Sequence, residues 1–193
     1  MEVSGVLRMM PVANPLAFER LTRNTPLDMT NLNRVFPGDP AGWLTERLAY
    51  CITQGFLKTV DDYVDLHAGG AQPAVDYVYI LNAENLSMAF GSRVLYRASS
   101  SYAGSTSEIT TSMGIPTVVV ELGGGPNCEE HIERAVTGVL NIMRATGMLP
   151  AANDGAGGSR AEIGERRGGE EPRAWAGISP CDIRAARDDL FDP

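Results

Sequence analysis

The sequence predicts an α/β fold in which a mixed sheet is flanked by helices in three layers. Short apolar segments typical of strands alternate with segments of helical periodicity along residues 1–150. The most apolar segment, residues 115–121 (IPTVVVE), has the continuous β-branched composition of a strand buried on both faces. Together these two observations favour a layered fold over a helical bundle or an all-β sandwich.

The first third of the chain predicts a strand, a long loop and a helix. Residues 5–13 form an apolar run that ends at Asn14-Pro15, which predicts a strand followed by a turn. Residues 14–41 are polar and without a period, and loops of this length in compact domains are often functional. Residues 42–57 are predicted to form an amphipathic helix, because apolar residues recur every four positions: Leu44, Leu48, Ile52 and Phe56.

The rest of the domain predicts further strands and helices in alternation. Strands are expected at residues 62–66, 75–81, 94–96 and 115–121, and helices at residues 83–90 and 129–146. Residues 99–107 are serine-rich and are expected to form a loop. In the last helix the residues expected to face inward are Ile132, Val136, Val139 and Met143, and Gly147 is the expected C-cap.

A change of composition after residue 150 predicts the end of the domain. Residues 151–193 are rich in Gly, Ala, Arg, Asp and Glu, and their few large apolar residues show no period. We therefore expect one domain over residues 1–150, and a tail over residues 151–193 that is disordered or does not belong to the fold.

Charge and cysteine content limit the partners and the compartment. The net charge of -8 argues against nucleic-acid binding, which requires basic surfaces. No apolar run is long enough to span a membrane, and no signal peptide is apparent. Three widely separated cysteines form neither a disulfide framework nor a CxxC site, so the cytoplasm is the expected location. The sequence does not indicate an oligomeric state.

Two polar residues stand at the ends of predicted strands. His67 is followed by a glycine pair, and Glu121 is followed by a glycine-rich turn. Because the strands of one sheet end along one edge, these side chains are expected to share a site. His67 could ligate a metal or could be a loop histidine bonded to backbone. Glu121 could be a general base with a pKa raised by burial, or a strand-end acid turned toward solvent.

The long loop carries a candidate anion clamp. Asn33 and Arg34 place an amide beside a guanidinium, a combination suited to binding a carboxylate, and Arg23 could add a second positive charge. The alternative is that these arginines only satisfy loop carbonyls. The other histidine, His131, lies among charged residues of a predicted helix and is interpreted as a solvated surface residue.

Several segments in order resemble one family of enzymes. They are Val12-Ala-Asn-Pro15, Asn31-Leu-Asn-Arg-Val-Phe-Pro-Gly38, Val64-Asp-Leu-His-Ala-Gly-Gly70, Gly114-Ile-Pro-Thr-Val-Val-Val-Glu-Leu-Gly-Gly124 and Arg144-Ala-Thr-Gly147. Across residues 5–150 the chain is similar to the succinylglutamate desuccinylase/aspartoacylase family, whose fold is zinc-carboxypeptidase-like. The wording of the second segment looks closer to the diaminobutyrate-deacetylase-like branch than to aspartoacylase.

The resemblance implies roles for the candidate residues. His67 matches a ligand of the catalytic zinc, and Glu121 matches the carboxylate that activates water and later protonates the leaving amine. Asn33 and Arg34 match the pair that binds the substrate's carboxylate, with Arg23 as a further arginine. The implied activity is zinc-dependent deacylation of an N-acyl amino acid or a related small carboxylated substrate.

The sequence also departs from the family's pattern. The other two zinc ligands of the family come from a His-x-x-Glu segment after its first strand, and no His-x-x-Glu occurs in this sequence. Residues 151–193 carry no strand pattern that matches the family's C-terminal β-rich domain. We therefore expect a member without its first strand, C-terminal β domain and two of three ligands for one zinc ion. The alternatives are an inactive fragment or non-enzymatic anion-binding remnant, and a metallocarboxypeptidase.

Overall fold

A mixed sheet of five strands organises the computed structural model, which describes residues 3–68, 76–125 and 128–151 and the strand at 162–165. The strands are β1 (Tyr63–His67), β2 (Tyr77–Ile80), β3 (Val94–Arg97), β4 (Thr117–Glu121) and β5 (Glu162–Glu165), in the order β1-β4-β2-β3-β5. Neighbouring strands are parallel except β2 and β4, which are antiparallel. The predicted mixed α/β fold is confirmed.

Within the described residues, five α-helices accompany the sheet: α1 (Pro15–Arg20), α2 (Leu44–Gly55), α3 (Glu84–Ala89), α4 (Thr106–Ser112) and α5 (Cys128–Ala145). Short 3₁₀ turns lie at Leu32–Arg34 and Leu57–Thr59. The predicted helices over residues 42–57, 83–90 and 129–146 correspond to α2, α3 and α5, with ends that differ by one or two residues.

The two faces of the sheet differ in chemistry because successive side chains of a strand point to opposite sides. One face is apolar and packs against α3 and α5, with a core of Val78, Ile80, Ala83, Phe90, Leu95, Val118, Val120 and Ile142. The opposite face carries Asp65, His67, Glu121 and several tyrosines, and α4 lies on it through a 2.8 Å hydrogen bond between the hydroxyls of Thr110 and Thr117. The apolar residues thus build the core, and the polar face is left for a site.

The predicted strand over residues 5–13 is not formed. Within the described part of the chain this segment pairs with no strand, and its apolar side chains are largely exposed, with Val6 at 79% and Met9 at 75%. A strand requires a neighbour for its backbone hydrogen bonds, and the apolar composition alone does not supply one.

Two short helices were not predicted: α1 lies in the expected loop over residues 14–41, and α4 begins at the end of the expected loop over residues 99–107. Asn14 accepts a hydrogen bond from the backbone N–H of Ala17 and caps α1, with Pro15 in the first turn, where its missing N–H costs nothing. Ser105 caps α4 by accepting from the N–H of Glu108. In both cases a local capping residue, which the apolar periodicity does not detect, starts the helix.

The inward face of α5 was predicted wrongly at two positions. Ile132 and Val136 are 61% and 55% exposed, and the buried positions are Ala135, Gly138, Ile142 and Met143. Between them, Gly138 lies so close to Phe90 that an added Cβ would be 2.3 Å from the ring. The helix therefore approaches α3 through its small residues, which a count of large apolar residues does not reveal.

The strand β5 lies in the stretch where the sequence shows no strand pattern, so that expectation is wrong at these four residues. The remaining part of the predicted tail, over residues 152–161 and 166–193, lies outside the described residues. The domain division at residue 150 stays a prediction.

Candidate functional site

The site lies where β1 and β4 end side by side. His67 and Glu121 are aligned in the parallel ladder, and Tyr77 is aligned with Glu121 on its other side, because β2 runs antiparallel to β4. Side chains of aligned residues share a face, so Glu121 lies between His67 and Tyr77. The structure thus brings together the two strand-end residues that the sequence indicated.

Asp65 orients the imidazole of His67. It lies two residues earlier on the same face of β1, and its Oδ2 is 3.1 Å from Nε2 of His67. Burial acts to lower the pKa of His67, but the hydrogen bond and the charge of Asp65 outweigh it and leave this pKa above its ordinary value. When the ring is neutral, Nε2 carries the proton and Nδ1 is the atom left to contact a ligand.

Asp65 is itself held as a carboxylate. Burial acts to raise its pKa, but hydrogen bonds from His67 and Thr106, together with the charge of His67, hold this pKa below the ordinary value. The hydroxyl of Thr106 donates to Oδ2 of Asp65 at 2.6 Å. The orienting group beside His67 is therefore ionised over most of the pH range.

Glu121 has the opposite environment. It is only 8% exposed, and burial raises its pKa above the ordinary value, against the opposing charges of His67 and Arg23. Such a carboxylate takes up a proton more readily than an exposed one, which is what a general base requires.

The predicted clamp residues lie on the 3₁₀ turn Leu32–Arg34. Oδ1 of Asn33 accepts from the backbone N–H of Thr106 at 2.9 Å, so its NH₂ group is directed elsewhere. The exposed Arg34 donates from Nη1 to the carbonyl of Asn33, and its guanidinium carbon lies 4.8 Å from the ring centroid of Tyr102. Arg23 is near enough for its charge to lower the pKa of both His67 and Glu121.

Two glycines fix the clamp turn between α2 and the start of α4. Gly104 has a φ of +71°, and a Cβ there would lie 2.2 Å from the carbonyl oxygen of Arg34. Gly38 has a φ of +84°, and a Cβ there would lie 2.1 Å from the backbone nitrogen of Tyr50. Only glycine combines a positive φ with such close backbone approach.

Three tyrosines continue the polar face beyond Glu121. The rings of Tyr77, Tyr79 and Tyr96 meet edge to face, with centroids 5.1 to 6.2 Å apart. The hydroxyls of Tyr77 and Tyr79 are 3.1 Å apart. The alternation Tyr77-x-Tyr79 in a strand places both rings on one face, and this was the available signal that the sequence interpretation did not use.

His131 is not the solvated residue that was predicted. It is half-buried, with Nε2 3.3 Å from the carbonyl oxygen of Gly124 and Nδ1 bonded to Arg134, which in turn pairs with Asp76 at 3.1 Å. These contacts join α5 to the turn that follows Glu121 and to the residue before β2. His131 therefore helps to hold the turn that follows Glu121 in place.

The described residues supply one candidate metal ligand in this site. The carboxylate-oriented imidazole of His67 fits the usual environment of a metal-bound histidine. A catalytic zinc needs three protein ligands, and the part of the chain that the structure describes contains no group of three His, Cys, Asp or Glu side chains arranged around one point. The fit is therefore partial.

Comparison with known proteins gives a consistent result. The profile of the succinylglutamate desuccinylase/aspartoacylase catalytic domain matches residues 1–146. Over 69 residues, the chain is 41% identical to an N-alpha-acetyl-L-2,4-diaminobutyric acid deacetylase of Halomonas elongata, which corresponds to 36% of this chain and 20% of that protein.

Solved structures agree with the sequence comparison. A product-bound ectoine utilization protein EutE (DoeB) from Ruegeria pomeroyi has a TM-score of 0.67 at 26% identity over 81% of this chain and 50% of its own. A succinylglutamate desuccinylase/aspartoacylase from Rhodobacter sphaeroides has a TM-score of 0.67 at 26% identity over 82% and 52%. The chain spans about half the length of these proteins.

Among the described residues, no helix has the length and apolar character needed to cross a bilayer.

Proposed function

The chain belongs to the succinylglutamate desuccinylase/aspartoacylase family, and from that premise we propose that it hydrolyses the amide bond of an N-acyl amino acid or a related small carboxylated substrate. The observation that carries the proposal is the alignment of His67 with Glu121 at one end of the sheet. Asn33, the candidate clamp residue, is tied to the same end through Thr106 and Asp65.

Glu121 is proposed to move the proton. Water attacks the amide carbonyl carbon, and Glu121 accepts the proton that the water loses. The carbon–nitrogen bond then breaks, Glu121 returns the proton to the leaving nitrogen, and the acyl group departs as a carboxylic acid. The buried position of Glu121 and its raised pKa support this role, because a base must hold the proton between the two steps.

The clamp is proposed to choose which amide reaches Glu121. With Oδ1 of Asn33 engaged by Thr106, its NH₂ group is available to a substrate carboxylate. The guanidinium groups of Arg34 and Arg23 would add charge-assisted hydrogen bonds. Holding the carboxylate at a fixed distance from Glu121 restricts the reacting amide to one geometry.

We further propose that His67 is one ligand of a single zinc ion, through Nδ1. When bound, zinc lowers the pKa of water and polarises a carbonyl. The described residues do not complete a three-ligand site, so none of the steps above depends on the ion. The widely separated cysteines support the further proposal that the protein acts in the cytoplasm.

Turnover of N-acetyl amino acids tests the proposal. Because the Halomonas elongata relative is named for N-alpha-acetyl-L-2,4-diaminobutyric acid, this compound is the first substrate to assay, with and without one equivalent of zinc. We expect release of acetate by the wild type and its loss in Glu121→Gln. Acetate release that is equal in the two proteins would contradict the proposal.

The second candidate is a protein that binds small carboxylates without hydrolysing them. It is favoured by the single candidate metal ligand among the described residues. It predicts that N-acetyl amino acids bind to the wild type and not to Asn33→Asp, whose anionic side chain repels the substrate carboxylate, while no acetate is released under any condition.

A further inference from the structure

Thr106 contacts both the clamp residue Asn33 and Asp65, the carboxylate that orients His67. It is the first residue of α4, and its two hydrogen-bond donors have different partners. Its backbone N–H donates to Oδ1 of Asn33 at 2.9 Å, and its hydroxyl donates to Oδ2 of Asp65 at 2.6 Å. The hydroxyl lies 3.4 Å from Oδ1 of Asn33 as well, but its single proton belongs to the shorter contact.

Asn33 and Asp65 each have a role in the proposed chemistry. Asn33 presents the clamp NH₂ because its oxygen is fixed by Thr106, and Asp65 orients Nε2 of His67 at 3.1 Å. The hydroxyl of Tyr63, on β1, also hydrogen-bonds with Thr106 and Asp65 and belongs to the same group of polar side chains. The contacts with Asn33 and Asp65 join parts of the chain that are 73 and 41 residues from Thr106.

We propose that Thr106 is a positioning residue, which sets the orientation of His67 through its hydroxyl and that of Asn33 through its backbone N–H. The inference rests on the proposed function, because these orientations affect turnover only if the site is catalytic. The hydrogen bonds themselves are present whatever the function. Proline is the only substitution that removes a backbone N–H. Any other change at Thr106 keeps the hydrogen bond to Asn33 and alters only the hydroxyl, so it affects the orientation of His67 and leaves Asn33 in place.

The test compares variants that differ in the hydroxyl. Thr106→Val is isosteric and removes it, Thr106→Ala removes it without adding a methyl beside Asp65, and Thr106→Ser keeps it. Thr111→Val is the control, since the hydroxyl of Thr111 bonds only backbone carbonyls of the same helix. All are made in the full chain.

The first readout is the tautomer of His67, measured by ¹⁵N NMR on metal-free protein at a pH where the ring is neutral. The chain has two histidines, so a His131→Gln variant assigns the signals. We expect the Nε2–H tautomer to dominate in the wild type, Thr106→Ser and Thr111→Val. In Thr106→Val and Thr106→Ala we expect the Nδ1–H population to rise at least about twofold, because Asp65 loses a donor that fixes it.

The second readout is the split between kcat and KM for N-alpha-acetyl-L-2,4-diaminobutyric acid. The hydroxyl-free variants are expected to lose about tenfold in kcat with KM changed less than about twofold, and serine is expected to restore kcat. No turnover in any variant, with the tautomer change present, would contradict the proposed function and keep the inference.

Three results overturn the inference. The first is a tautomer population unchanged in both hydroxyl-free variants. The second is a Thr106→Ser protein that resembles Thr106→Val. The third is loss of cooperative unfolding in both hydroxyl-free variants while Thr111→Val keeps it, which would make the hydroxyl a purely structural group.

Discussion

At the scale of single residues, the carboxylate of Glu121 combines a functional position with a cost in stability. Burial raises its pKa above 4.5, so the folded chain favours the protonated form more than the unfolded chain does. As pH rises above 4.5, the unfolded chain releases this proton more easily, and the folded state loses stability until the pH passes the raised pKa. At neutral pH the ionised Glu121 therefore destabilises the fold.

Glu121→Gln is predicted to remove this cost together with the activity. At pH 7 the free energy of unfolding should exceed that of the wild type, and at pH 3 the two should agree, as measured by urea denaturation. Turnover should fall about 10²- to 10⁴-fold, the usual contribution of a positioned acid–base group. The exposed Glu133→Gln, in the interior of α5, is the matched control and should change neither quantity. A Glu121→Gln variant less stable than the wild type at pH 7 would refute this prediction.

The residue scale is also where the sequence was most informative about the site. His67 and Glu121 could be placed at one sheet edge because each ends a strand pattern. Asp65 and Thr106 could not be recognised as a pair, because nothing in the order of residues shows that the first residue of α4 contacts β1. Contacts across 41 residues depend on the tertiary fold.

At the scale of elements, Asp28 ties the clamp loop to α2. Its Oδ2 accepts from the backbone N–H of Thr45 at 2.8 Å, and its Oδ1 accepts from the hydroxyl of Thr45 at 2.7 Å. These hydrogen bonds outweigh the effect of burial and lower the pKa of Asp28 below 3.8. The contribution to stability is thus present above pH 3.8 and is lost as pH falls through the lowered pKa.

Asp28→Asn is predicted to lower the free energy of unfolding by about 1 kcal/mol at pH 7, the usual loss for a helix-capping carboxylate. The difference from the wild type should shrink as pH falls below about 3.8 and disappear once the pH lies below the lowered pKa of Asp28, where the wild-type side chain is protonated as well. Denaturation at a series of pH values measures this. Glu133→Gln, at an exposed position of α5 outside the loop, provides the comparison and should show no such difference at any pH.

Gly104 allows a second prediction for an element, the turn that carries Asn33. Gly104→Ala places a Cβ 2.2 Å from the carbonyl oxygen of Arg34 in addition to imposing a φ of +71°. We expect a loss of about 1–3 kcal/mol in stability and a raised KM, because the turn must move.

Two glycines separate the causes of that loss. Gly114→Ala has a φ of +76° with no atom within 4 Å, and helical Gly55→Ala has neither constraint. The expected order of stability is Gly55→Ala, then Gly114→Ala, then Gly104→Ala, measured by chemical denaturation. If Gly104→Ala and Gly114→Ala proved equally stable with equal KM, the backbone contact would be unimportant.

Elements also show what could be predicted from pattern and what could not. The helix α2 and the strand β4 were predicted because their apolar patterns are long and regular. The strand predicted over residues 5–13 failed, because an apolar run does not reveal whether a neighbouring strand exists. The helix α4 was missed because it is short and polar, and its capping pair Ser105 and Glu108 was the available signal.

At the scale of the whole molecule, the sheet separates stability from chemistry by face. Leu95 is 1% exposed in the apolar core, whereas Tyr77 lies on the polar face beside Glu121. The two positions are on neighbouring strands, yet they belong to different environments. Changes on one face should therefore leave the other largely unaffected.

Leu95→Ala is predicted to lower the free energy of unfolding by about 2–5 kcal/mol, the usual range for a buried leucine, with kcat and KM of the folded protein changed less than about twofold. Tyr77→Phe should cost no more than about 1.5 kcal/mol and should alter kcat or KM. Leu66→Ala, at a 44% exposed position, is the control for Leu95. Parallel changes in stability and kinetics for both variants would show that the faces are not independent.

The alternation of side chains along β4 has a consequence for how such a chain can change during evolution. Deleting one residue before Glu121 within β4 would turn Glu121 toward α3 and α5 and would place Leu122 between His67 and Tyr77. A point substitution in this strand changes one side chain and can be reversed by another substitution. A change of length removes Glu121 from the site and disrupts the packing of the apolar core in a single event. We therefore expect lineages that retain the chemistry to keep the length of this strand constant while its valines exchange with other β-branched residues.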